Sequence, residues 1–388
     1  MKKKLLCFIL LPLGLLAGFL LPAFMPFSGT APGSGNGFST WSTAENSREA
    51  ETVRTDAVSG SLEGGPSEES KEEREEEREV EKPAIPAERP LEEIPFDGQL
   101  AHQYLTELCA MGPRPSGSEG MKKQQEYLIR HFTQCGAEVQ KQAFRFPYPG
   151  SPTQKVDGLN LIFRWRPERK ERILFCAHYD TLPIPTADPI HMQHLPFVGA
   201  EDNAGGIGIL MVLAKELPEI LADEQTRYGV DIVMLDAEEF MFRPSRQLLP
   251  NERFCWGSEY FGRVYASQSP AKRGFTYTAG VLLDLVTQHD VLLMKEAFSF
   301  KNQRIRMIQS EIWNTAKQLG VREFVPQIGP FVTDDHIYLY EYGKIPVVDI
   351  IDLDYEFWHT HEDTPDKCSP LSAARVGWVV SEWLRNKK

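Results

Sequence analysis

The chain has 388 residues, 41% hydrophobic and 11% aromatic, enough for one large core or two modest domains. Its formal net charge is -13, which argues against a nucleic-acid partner, because a phosphate-binding surface needs a basic excess. Residues 1–27 open with MKKK and run from Leu5 to Phe27 without a charge, long enough to cross a bilayer at about 20 residues per span. The lysines favour a cytoplasmic start, and a poor cleavage pattern leaves two readings: an uncleaved signal anchor, or a signal peptide removed on export. Either way the remainder is expected to be exported, held at the membrane or released as a periplasmic or extracellular protein.

Residues 28–95 turn to Ser, Gly, Pro and Glu, including SEESKEEREEEREVEKPAIPAERP. Such a run buries too little apolar surface to offset its ordering entropy, so a disordered linker is expected, with a short solvated helix in the Glu/Arg tract as the alternative. The folded domain is expected over 96–388. There GQLAHQYLTELCAMG (98–112) and SEGMKKQQEYLIRHFTQCG (118–136) have helical spacing and end at glycine. RILFCAHYD (172–180), GVDIVMLDAEE (229–239), AGVLLDLV (279–286) and KIPVVDIID (344–352) are apolar runs of strand length. DNAGGIGILMVLAKEL (202–217), opening on a capping Asp or Asn, and SPLSAARVGWVVSEWLRNK (369–387) read as helices. The alternation predicts an α/β class: one three-layer domain with a mixed, mostly parallel twisted sheet flanked by helices. Cys7, Cys109, Cys135, Cys176, Cys255 and Cys368 show no close spacing, which argues against a structural zinc knuckle and leaves a disulfide among the last five open.

Polar residues recur at strand ends. His178 and Asp180 follow one apolar run, Glu238 and Glu239 a second, and Asp284 ends a third. In open α/β sheets the ligand crevice lies outside the carboxyl ends of the strands, so these side chains are expected to converge. The two-residue spacing lets Asp180 orient the His178 ring. Adjacent Glu238 and Glu239 are expected to point opposite ways, one to a metal and one to a substrate. Asp202 precedes a glycine-rich helix, and FWHTHEDTPDKCS supplies His359. Each residue alone is more often structural, but Asp, Glu and His converging on strand ends suit a catalytic zinc with an open position.

The motifs AHYDT, GAEDNAGG, DAEEF, LLDLV, DDHIYL and FWHTHEDTPD resemble, in order and approximate spacing, the zinc exopeptidase-like superfamily of co-catalytic zinc aminopeptidases and glutaminyl cyclases. MGPRPSGSEG (111–120) is similar to that family's opening loop. The resemblance implies Asp202, Glu239 and His359 as ligands of one zinc and Glu238 as acid/base. It implies His178 and Asp284, with Asp202 as bridge, for a possible second zinc. Asp334 before Asp335 and His336, and Trp358 before His359, resemble the cyclase branch, where the first Asp joins Asp284 around the leaving amide and the indole walls the pocket. AEDNAGG is closer to the aminopeptidase loop, and MFRPSR lacks a tryptophan that animal cyclases carry. The implied function is a zinc-dependent glutaminyl-peptide cyclotransferase acting on peptide or protein N-termini. The rivals are a zinc aminopeptidase and a non-catalytic ectodomain of the same fold. Within the cluster, Trp358 as core packing, Asp334 as a helix cap and His336 as a structural hydrogen bonder are the plainer expectations.

Overall fold

A computed structural model describes residues 89–223, 226–244 and 247–387. The expected anchor or signal over 1–27, and the linker as far as residue 88, lie outside them. The fold begins earlier than expected: Leu91–Glu93 form a 3-10 turn, and Ile94 and Phe96 are buried. Those two apolar side chains give the segment a place in the core that its polar neighbours obscured. No helix among the described residues is long and apolar enough to cross a membrane.

Helices α1 (Gly98–Cys109) and α2 (Glu119–Gln134) open on Asp97 and Ser118, whose side chains accept the N–H groups of Leu100 and Met121. An antiparallel pair follows, β1 (Glu138–Pro147) and β2 (Lys155–Trp165), then β3 (Glu171–His178). After α3 (Gly205–Ile220) come β4 (Tyr228–Leu235), α4 (Trp256–Ser267), α5 (Pro270–Arg273) and β5 (Thr276–Asp284). Next are β6 (Leu293–Lys295), α6 (Ala297–Lys301), α7 (Gln303–Leu319), β7 (Phe324–Ile328), α8 (Asp335–Gly343), β8 (Val347–Ile351) and α9 (Pro370–Arg385).

Six strands form one sheet in the order β1-β2-β4-β3-β5-β8, and β6 pairs with β7 in a small parallel ribbon. β3 pairs in parallel with β4 and β5, and β5 with β8, whereas β2 runs antiparallel to both β1 and β4. The expected mixed, mostly parallel sheet is present. Side chains alternate across it: Ile173, Phe175 and Ala177 face the larger core with α1, α3, α7 and α9, while Leu174 and Cys176 face a smaller core with Phe261 of α4 and Leu339 of α8. Burial on both faces explains why the central strands read as continuous apolar runs.

Three local points are refined. The five described cysteines are all free, so no disulfide joins them. Glu238 and Glu239 lie beyond the end of β4, after Ala237 with φ 58°, so a left-handed turn and not the strand pleat separates their directions. Neither Asp202 nor Asn203 is the N-cap of α3, which is Ala204; Asn203 Oδ1 accepts the Gly206 N–H at 3.1 Å from the preceding turn, and Asp202 points elsewhere.

Candidate metal and catalytic centre

β3, β4 and β5 are neighbours, so their carboxyl ends bring His178, the Glu238–Glu239 turn and Asp284 to one rim of the sheet. Two loops complete the rim. The irregular turn Ala200–Ala204 carries Asp202, held by Asp363, whose carboxylate accepts the N–H groups of Glu201 at 2.9 Å and Asp202 at 3.2 Å. Gly206 lets this turn sit against β5, since a Cβ there would lie 2.7 Å from the Leu283 carbonyl oxygen. The second loop presents His359 at φ 60°, anchored by the Ala187 N–H on its carbonyl.

Asp202 stands between two imidazoles. Its Oδ1 is 3.0 Å from His178 Nε2, and its Oδ2 is 3.4 Å from His359 Nε2. His359 Nε2 is 3.3 Å from Glu239 Oε2, and His178 Nε2 is 3.4 Å from Asp284 Oδ1. All five side chains are buried. A tetrahedral ion with bonds of about 2.0 Å separates its ligand atoms by about 3.3 Å, which is the spacing seen here. Asp202 Oδ2 and Asp284 Oδ1 are buried without a hydrogen-bond partner among the described residues, a costly state that a cation would relieve. Burial holds His359 down at about 4, so it is the neutral imidazole a metal requires. The donor set of Asp202, Glu239 and His359 therefore fits zinc, and His178, Asp202 and Asp284 form a second group of the same kind.

Glu238 lies beside this set. Its carboxyl is pushed well above the usual range, chiefly by burial, and its Oε1 accepts the Cys255 thiol at 3.2 Å. Ligand-type atoms of Glu238, Cys255 and Asp334 lie within 4.8 Å of one another. Asp334 caps α8 through the Asp335 N–H, as its plain reading has it, and is also buried, with Oδ2 unpartnered among the described residues. Burial and then Asp284 raise its carboxyl to about 7. Asp284 is raised to about 6, mainly by burial.

Two expected residues sit differently from their simplest reading, and a third keeps it. Asp180 lies 3.8 Å from His178 Nδ1, too far for a hydrogen bond, and instead accepts the N–H groups of Glu238 at 2.9 Å and Glu239 at 3.2 Å. Its carboxylate thus braces the turn after β4 that carries the two glutamates. Trp358 is not core: it is 36% exposed and stacks on the His359 ring at 3.9 Å between centroids. His336 is buried between Glu296 and Asp349, at 3.3 and 3.4 Å.

Several contributors carried no readable signal. Arg114, buried in the opening loop, donates its N–H to Thr181 Oγ1 at 2.8 Å and its Nη2 to the Gly199 carbonyl at 3.3 Å, tying that loop to the Asp202 turn. Thr186 Oγ1 lies 3.4 Å from His359 Nδ1. Leu182 offers its N–H to Glu239 Oε1 at 2.8 Å.

A mixed sheet whose central strands deliver Asp, Glu and His to one buried zinc-fitting rim defines the zinc exopeptidase fold. The profile of Peptidase family M28 matches residues 160–384, and the chain belongs to that family. Among solved structures it resembles the glutaminyl cyclase of Fimbriiglobus ruber, at 36% identity and a TM-score of 0.70, over 79% of this chain and 100% of that one. It also resembles a protein from Bacteroides thetaiotaomicron described as a leucine aminopeptidase precursor, at 29% identity and a TM-score of 0.67, over 76% of this chain and 99% of that one. A curated relative, the alkaline phosphatase isozyme conversion protein of Escherichia coli, is 27% identical over 154 residues. That match takes in 37% of this chain and 44% of the relative's length.

Proposed function

We propose that the chain is a zinc-dependent glutaminyl-peptide cyclotransferase, converting N-terminal glutamine of peptides or proteins to pyroglutamate with release of ammonia. The observation that carries this reading is the pair of buried carboxyls, Glu238 and Asp334, close together beside the zinc set and both raised. Ring closure needs groups that accept a proton from an amine and return it to a departing one, all within one water-poor pocket. The 36% identity to a cyclase supports the same choice.

Asp202, Glu239 and His359 would hold the zinc, which would supply a Lewis acid for the substrate's γ-carbonyl oxygen. Glu238 takes the proton from the α-amine as its nitrogen bonds to the carbonyl carbon of the γ-amide, then gives it to the leaving nitrogen as that carbon's bond to the amide nitrogen breaks. Asp284 and Asp334, raised toward neutrality, share protons with the amine through hydrogen bonds. No water is consumed. Trp358, half-exposed over His359, walls the pocket, and the apolar segment 1–27 exports the domain to meet its substrates.

One observation favours a second reading. His178, Asp202 and Asp284 are spaced for a further metal ion, as a zinc aminopeptidase with two metals requires. Counting zinc per purified chain while following ammonia from a Gln-initiated peptide and hydrolysis of a Leu anilide separates the two. Ammonia release with one zinc supports the cyclase, and anilide hydrolysis with two overturns it.

A further inference from the structure

The turn that carries Glu238 is closed by a second segment with its own unusual geometry. Cys255 donates its backbone N–H to the Glu238 carbonyl at 2.8 Å, and Trp256 donates to the Ala237 carbonyl at 3.0 Å. Cys255 adopts φ 63° and ψ 40°, a left-handed conformation that favours glycine or asparagine, so a side chain here carries a conformational cost. It stands at the N-cap of α4, yet its side chain makes no capping bond. The thiol turns the other way, fully buried, to Glu238 Oε1.

Resting on the reading of Glu238 as acid/base, we infer that Cys255 is a positioning residue: its thiol fixes Oε1 of Glu238 so that Oε2 meets the substrate amine. A buried carboxyl on a turn has several rotamers, and the neighbouring Asp334 is also a carboxyl, which repels an ionised Glu238. The S–H group supplies a directional donor in their place. Burial, then Glu238 itself, push the thiol well above its usual range, so it stays an S–H donor and not a thiolate.

Kinetics and spectroscopy of the zinc-loaded full chain test this. Cys255→Ala should lower kcat for a Gln-initiated peptide about 5- to 10-fold, with KM, zinc content and Tm held, and Cys255→Ser should restore kcat to within about twofold. Independently of turnover, the infrared S–H stretching band lost in Cys255→Ser should sit at the frequency of a hydrogen-bonded thiol, and Glu238→Gln should move it. Wild-type kcat in Cys255→Ala beside an inactive Glu238→Gln overturns the inference alone, as does an S–H band indifferent to Glu238→Gln. An equal fall of kcat and Tm in both Cys255 variants reduces the residue to packing and also overturns it. Turnover surviving in Glu238→Gln removes the acid/base reading, and this inference with it.

Discussion

Asp180 accepts the backbone N–H of Glu239 at 3.2 Å with one carboxylate oxygen while the other takes the N–H of Glu238. One buried carboxylate thus braces the backbone from which both the Glu238 and the Glu239 side chains project. Replacing it with asparagine keeps the size but substitutes an NH2 group for one acceptor, which then faces a backbone donor. Asp180→Asn should weaken zinc binding roughly 10- to 100-fold by chelator competition. Unchanged zinc affinity would show that the turn holds its shape alone.

Glu238→Gln should lower kcat by about 10²- to 10⁴-fold, with zinc per chain unchanged by metal analysis. Glutamine preserves the volume and can still accept the thiol, but it cannot carry the proton. Loss of zinc in this variant would mean that Glu238 is a ligand.

The fold was legible where burial was complete. β3, β4, β5 and β8 lie between two helical layers, so their residues had to be apolar and their runs could be read directly. β1 escaped because it is an edge strand with Glu138, Gln140 and Lys141 exposed on its two faces, which leaves no apolar run, and β2 because it opens on the exposed Lys155 and Asp157. Among site residues, Asp, Glu and His announced themselves by their cost in apolar surroundings. Cys255, Arg114 and Thr186 did not, because they act through contacts with distant parts of the chain, and Cys255 also through a positive φ, which no local pattern encodes.

Trp358→Ala should raise KM for a Gln-initiated peptide by about 3- to 10-fold, with kcat changed less. The ring stacks on His359 and exposes its other side, so its loss removes a wall and not a proton carrier. A fall in kcat at constant KM would assign the indole instead to orienting the His359 ring.

Stability of the metal-free protein should depend on pH with a definite sign. Asp236 and Asp335 are raised from the usual 3.8 to about 7, in both cases chiefly by burial, so the folded state holds protons that the unfolded chain releases. Their contribution is fully present below 3.8 and is lost as pH rises through about 7. Tm of the chelated protein should therefore fall across that window, and Asp335→Asn should flatten the fall. A Tm that climbs over the same range would contradict the burial of these acids.

The most direct test of the central claim is product analysis: the purified, zinc-loaded chain is given a peptide beginning with glutamine, and ammonia and peptide mass are followed together. The account predicts one ammonia released per peptide, a cyclised N-terminus with every peptide bond intact, and no reaction after chelation. Free N-terminal glutamine released by hydrolysis, with no ammonia, would contradict it.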